Sequence, residues 1–131
     1  MKGIDTNVLA RYLVQDDPVQ SLKATRFIED KSAEESLFCI SGVVLCELVW
    51  VLESAYAYPR SSIVNVIESI LKTKQFHILE PELLWQSLSG YKNEGADFAD
   101  HYIAHLNHHE GCEYTVTFDK KAAKLKYFRS L

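Results

Sequence analysis

Four acids in this 131-residue chain fall where elements of structure should begin or end, and a fifth lies inside an apolar run. Asp5, in GIDTNVLA, breaks an apolar stub just after the N-terminus, and Asp119 follows the run Thr115-Val116-Thr117-Phe118. Asp97 and Asp100, in GADFADHYIAHL, are spaced i, i+3 and so share one face of a helix start. Glu47 is the lone charge in ISGVVLCELVWVL. Carboxylates held together repel one another and take up protons unless a cation neutralises them. Hard oxygen ligands select Mg²⁺ or Mn²⁺ over zinc or copper. Two such ions roughly 4 Å apart can activate one water and stabilise the leaving oxygen of a phosphodiester.

Each acid also has a plainer reading. Glu47 is costly to bury in so apolar a helix unless it is paired or bound to metal, and ordinary if exposed. Asp97 and Asp100 suit the positive end of a helix dipole. Asp119 suits an N-cap, and Asp5 a turn. All of these acids at strand ends or helix starts together favour one shared site.

The elements that would position them alternate. Lys2 to Ile4 reads as a short strand ending in Asp-Thr-Asn, and Val8 to Val14 as a helix. Asp16-Asp17-Pro18 starts a second helix with a stripe of Val19, Leu22, Phe27 and Ile28. Ser36 to Ile40 reads as a strand, and Ser41-Gly42 turns into a long helix from Val43 to about Tyr56. Pro59 opens a helix with Ile63, Val66, Ile67, Ile70 and Leu71 on one face, and Phe76 to Leu79 is a strand. Helices follow from Pro81 and from Asp97 to about His109, the latter with Phe98, Ala99, Tyr102, Ile103 and Leu106 as its core side. Tyr114 to Thr117 is a fourth strand, Asp119 caps a last helix, and Tyr127-Phe128 begins a fifth strand. Strands alternating with helices predict a three-layer α/β/α sandwich around a mostly parallel sheet of four to five strands, as a single domain over 1–131. Ligands in such sheets bind beyond the carboxyl ends of the strands, where Asp5 and Asp119 lie.

Composition narrows the class. The chain is 47% apolar and 24% charged, and no run approaches the roughly 18 apolar residues of a membrane span. No targeting segment is readable, so a cytoplasmic location is expected. Cys39, Cys46 and Cys112 lie in apolar surroundings and read as buried core thiols. A net charge of −4 argues against coating nucleic acid by charge alone, but not against a nuclease with its acids in one cleft. Lys120, Lys121, Lys124, Lys126 and Arg129 crowd the C-terminus, as the solvated face of a terminal helix or as phosphate contacts. His101, His105 and His108 recur at i, i+4, i+7, a spacing compatible with Zn²⁺, although a solvated or partner-facing surface is the preferred reading.

The pieces IDTNVL, SGVVLCELVWVL, ADFADHYIA and TFDKKA, in this order along nearly the whole chain, resemble the PIN domain family, and within it the small VapC-type toxins of toxin–antitoxin pairs. The resemblance implies a parallel-sheet α/β/α ribonuclease dependent on Mg²⁺ or Mn²⁺, acting on RNA, usually homodimeric and inhibited by a cognate antitoxin. It implies metal binding by Asp5, Glu47 and Asp100, with Asp119 as a more variable fourth acid and Asp97 as an accessory one. Thr6, Asn7, Ser41 and Thr117 would orient ligands or water. Arg11, Lys120, Lys121 and Lys124 are candidate phosphate contacts. The apolar, aromatic-bearing helices between Val43 and Leu71 are a candidate interface or antitoxin groove.

Two other classes remain open on sequence. A Mg²⁺-binding phospho-acceptor module would also place Asp at strand ends, but it expects adjacent acids after the first strand and a Lys after the last. A catalytically silent PIN-like binding domain would need no acidic set.

Overall fold

A computed structural model describes residues 1–30 and 37–131. The strand β1, Lys2–Gly3, ends before Asp5, which caps helix α1, Thr6–Val14, by accepting the Thr6 N–H at 2.8 Å. Helix α2, Pro18–Ile28, starts on Asp17, whose Oδ1 accepts the N–H groups of Val19 and Gln20. These caps satisfy amide donors that a helix start leaves unpaired. Strand β2, Phe38–Ile40, leads into α3, Gly42–Ser54, capped by the Ser41 hydroxyl on the Val44 N–H. Then follow α4, Arg60–Lys72, β3, Phe76–Ile78, α5, Pro81–Asn93, and α6, Phe98–His109. The chain closes with β4, Thr115–Thr117, a 3-10 turn at Ala122–Lys124, and β5, Phe128–Ser130.

The result is an α/β sandwich in which every strand pairing is parallel, as expected. The strands form two sheets rather than one: β1-β2-β3, and β4 with β5. Strands of two or three residues make few ladder bonds, so helix packing rather than a continuous ladder joins the two halves. Side chains of α3 (Leu45, Leu48, Leu52) and α4 (Ile63, Ile67, Ile70) are fully enclosed in the main core, and each such burial contributes about 1.5–3 kcal/mol. A second small cluster of Ala96, Ala104, Ala122, Leu125 and Phe128 ties α6 to the C-terminal sheet. Among the described residues no helix is long and apolar enough to cross a membrane.

Several expectations are corrected. On α2, Val19, Leu22 and Phe27 are exposed; Ser21 and Ala24 join Ile28 in facing inward, because small residues let α1 approach closely. On α6, Ile103 is exposed while Ala104 is buried. No α-helix follows Asp119, only the 3-10 turn. The three cysteines are free, Cys112 is exposed, and Cys39 and Cys46 are half-buried. Burial and the neighbouring Glu47 push the Cys46 thiol up to about 12, so it stays protonated. Ser36, the expected start of the second strand, lies outside the described residues.

Helices α3 and α6 meet where Gly42 lies against the Tyr102 ring, and a Cβ on Gly42 would overlap that ring. Gly42→Ala is therefore expected to cost about 1–3 kcal/mol, read as a lower urea midpoint at unchanged slope. Gly3→Ala is the control, since nothing lies within 4 Å of a Cβ there.

Candidate active site

A pocket of about 330 Å³ is lined by Ala96, Asp97, Asp100, Asp119, Lys120 and Lys121. Its acids arrive from two directions. Asp97 is the N-cap of α6, and Asp100, one turn on, turns its carboxylate back to the Asp97 N–H at 3.4 Å. Asp119 comes from the turn after β4. Its N–H donates to Thr117 Oγ1 at 3.0 Å, and its Oδ1 accepts the N–H groups of Lys121 at 2.8 Å and Ala122 at 3.0 Å. Thr117 thus accepts the backbone N–H of Asp119 and helps set the turn that carries it. Burial, helped by the negative charges of Asp97 and Asp119, raises the pKa of Asp100 above the ordinary carboxylate value, although the hydrogen bond from Asp97 opposes the rise.

The loop that presents the first two acids is clamped from both sides. The Arg60 guanidinium lies 4.0 Å over the Tyr91 ring and donates to the carbonyls of Tyr91 at 2.6 Å and Ala96 at 3.2 Å. Tyr91 is itself tied to Glu53 by a 2.6 Å hydrogen bond from its hydroxyl; burial and that carboxylate raise its pKa. From the other side His101, only 2% exposed, places Nε2 2.8 Å from the Gly95 carbonyl. A carbonyl only accepts, so Nε2 carries the proton. Ala96 is held at φ 76°, a left-handed conformation that costs a residue with a Cβ about 1–2 kcal/mol.

Arg60 is absent from the sequence candidates and His101 enters them only as one of the histidine series, yet both positions leave a trace. Arg60 is a cation in the first turn of a helix, where the dipole disfavours it. Gly90 is an isolated glycine inside a helix, which signals close approach; the His101 ring occupies the space its Cβ would take. The histidine series is accordingly only partly a solvated face: His108 and His109 are exposed, whereas His101 is not. His101 is interior, His105 is half-buried edge-on to Tyr127, and His108 stacks on Tyr127 at 3.8 Å.

Of the remaining candidates, only Lys120 and Lys121 line this pocket. Asp5 is exposed at the start of α1, and Glu47 is exposed on α3, so neither faces the apolar burial that would demand compensation. Neither lines the acidic pocket. Thr6 is buried with its hydroxyl unpaired, Asn7 is exposed, and Ser41 caps α3. Arg11 is engaged by Asp16 at 2.7 Å, by Gln20 and by Tyr56, an assembly that ties α1 to α2 and to the α3–α4 connection. Lys120 and Lys121 line the pocket, and Lys124 does not.

Among the described residues no three His, Cys, Asp or Glu side chains converge closely enough to hold a metal as they stand. The donor chemistry nevertheless suits a hard divalent cation. The pocket's acids supply only oxygen, and burial, together with the charges of Asp97 and Asp119, raises the pKa of Asp100, a combination that a bound cation would relieve.

Residues 3–126 match the family model of the PIN domain. The chain is also 26% identical over 128 residues to a VapC ribonuclease of Aquifex aeolicus (strain VF5), covering 97% of this chain and 93% of that one. No solved structure gives a significant match.

Two outcomes are expected from this geometry. Asp119→Asn should bring the Asp100 pKa down toward its ordinary value, measured by carboxyl carbon NMR titration. Because folding raises this pKa, Asp100 lowers stability as pH rises from its unfolded to its folded value, and Asp119→Asn should flatten that slope. Arg60→Met should lose about 1–3 kcal/mol in urea denaturation and speed amide exchange around Asp97, since it removes two charge-assisted bonds to carbonyls.

Proposed function

We propose, from the premise that the chain belongs to the PIN domain family, that it is a metal-dependent endoribonuclease and the toxin of a VapBC-type toxin–antitoxin module. The observation that carries this reading is the convergence of Asp97, Asp100 and Asp119 with two lysines around one pocket. The VapC ribonuclease relative supports RNA as substrate and a cognate antitoxin as protein partner. The same reading makes the protein a single-domain, cytoplasmic homodimer.

Asp97, Asp100 and Asp119 would hold the ion, Mg²⁺ or Mn²⁺, and the family resemblance of the motifs around Asp5 and Glu47 supports adding those acids to the same set. Such a cation, when bound, supplies positive charge for water activation and for the leaving oxygen. The chain's own groups do the rest. Lys120 and Lys121 offset the phosphate's charge at a pocket that would otherwise repel it. Pocket carboxylate oxygens accept the hydrogen bonds of the attacking water and can take its proton, a task suited to a carboxyl with a raised pKa. Arg60 and His101 keep the Asp97–Asp100 turn rigid, so that little reorganisation accompanies the reaction.

The test is cleavage of labelled total RNA by the purified protein. Activity is expected with Mg²⁺ or Mn²⁺, to vanish in EDTA and to return when the ion is restored. Asp100→Asn and Asp5→Asn should each lose at least about 100-fold while circular dichroism stays unchanged. Full activity in EDTA would sink the metal-dependent reading, and an undiminished Asp5→Asn would remove Asp5 from the site.

A further inference from the structure

Beside the acidic pocket, the outward face of β4 is apolar and uncovered. Within β4, alternation puts Val116 on one side and Thr115 and Thr117 on the other, and the residues flanking the strand, Tyr114 and Phe118, are exposed beside it. Thr115 accepts a hydrogen bond from Asn107, and Thr117 accepts one from the Asp119 N–H. Phe118 is 83% exposed, Val116 54% and Tyr114 40%. A phenyl ring left so open forgoes about 1.5–3 kcal/mol that burial would return. The backbone that carries it is held in a turn by the Thr117–Asp119 and Asp119–Lys121 bonds.

Charge decides what could cover this face. Phe118 immediately precedes Asp119 of the pocket, and Lys120 and Lys121 line that same pocket. At the other end the Arg129 guanidinium lies 4.2 Å over the Tyr114 ring, and Arg129 pairs in register with Val116. An apolar protein surface seated here would bury those cations without partners, which is costly. A nucleic-acid strand satisfies both features at once, with bases on the aromatic rings and phosphates at the cations.

We propose that Phe118 is a base-stacking platform for single-stranded RNA, holding a nucleotide next to the bond to be cut, with Lys120 and Arg129 as flanking phosphate contacts. The proposal deepens the nuclease reading and rests on it. Stacking needs an unpaired base with an open face, so the preferred substrate is a loop or single strand rather than a duplex.

Binding in EDTA separates this inference from catalysis. The probe is a single-stranded oligoribonucleotide containing 2-aminopurine, compared with the same sequence annealed to its complement. Wild type should bind the single strand more tightly and quench the 2-aminopurine fluorescence. Phe118→Ala should weaken that binding about tenfold and lose the quench, whereas Phe118→Trp should retain both. Lys120→Ala should weaken binding and reduce its salt dependence while keeping the quench. Phe118 packs against too little for Phe118→Ala to act through misfolding. Unchanged affinity and quench in Phe118→Ala would overturn the proposal, as would equal binding of duplex and single strand. It would also be overturned if Phe118→Ala left RNA binding intact but shifted the protein's oligomeric state in size-exclusion chromatography, since the face would then serve a second copy. Loss of the platform with metal-dependent cleavage intact, or the reverse, tells failure of this proposal from failure of the nuclease reading.

Discussion

The grip of Arg60 and His101 on the carbonyls of residues 91, 95 and 96 is the constraint on which the pocket depends. A helix start can present two acids one turn apart, but it cannot by itself fix where that turn sits. Here α4 reaches across with a guanidinium, and α6 bends its own buried imidazole back onto the loop that precedes it. The left-handed Ala96 shows that the loop's conformation is imposed. Without outside donors, the backbone of this loop would relax and carry Asp97 and Asp100 with it.

The same region concentrates like charge in a chain of modest net charge, −4. Asp100 feels burial first, then Asp97 and Asp119, and its pKa rises even though a backbone amide stabilises its ionised form. Unfavourable electrostatics that the fold holds in place are more informative than any single acid, because a purely structural capping box would not gather a third carboxylate from a distant turn. Lys120 and Lys121 at the rim and the exposed aromatic side chains flanking β4 extend this outward, with cations at the pocket and apolar surface beside it.

Much of the architecture is legible in the sequence because its signals are local. Asp17-Pro18, Ser41-Gly42 and Glu80-Pro81 mark helix starts through their own amides and fixed φ, and the stripe Ile63, Ile67, Ile70 needs only helical periodicity. The errors share one origin. Val19, Leu22 and Phe27 look like a core stripe, yet the contact between α1 and α2 selects small Ser21 and Ala24. His101 looks like one of a surface series until Gly90 opens a space for its ring. The segment after Asp119 looks helical, but Asp119 spends its carboxylate on a tight turn and the chain goes on to pair with β4.

By itself, then, the sequence determined the alternation of strands and helices, the four motifs of the family, and the acids that end strands or begin helices. These follow from residue type, spacing and short-range hydrogen bonding. Only the tertiary structure decided which acids line one pocket: Asp97, Asp100 and Asp119 do, while Asp5 and Glu47 stand exposed outside its lining. It alone assigned Arg11 to an ion pair and Arg60 and His101 to the loop. Those outcomes depend on contacts between segments tens of residues apart, and no local pattern carries the distance between two side chains that only packing brings together.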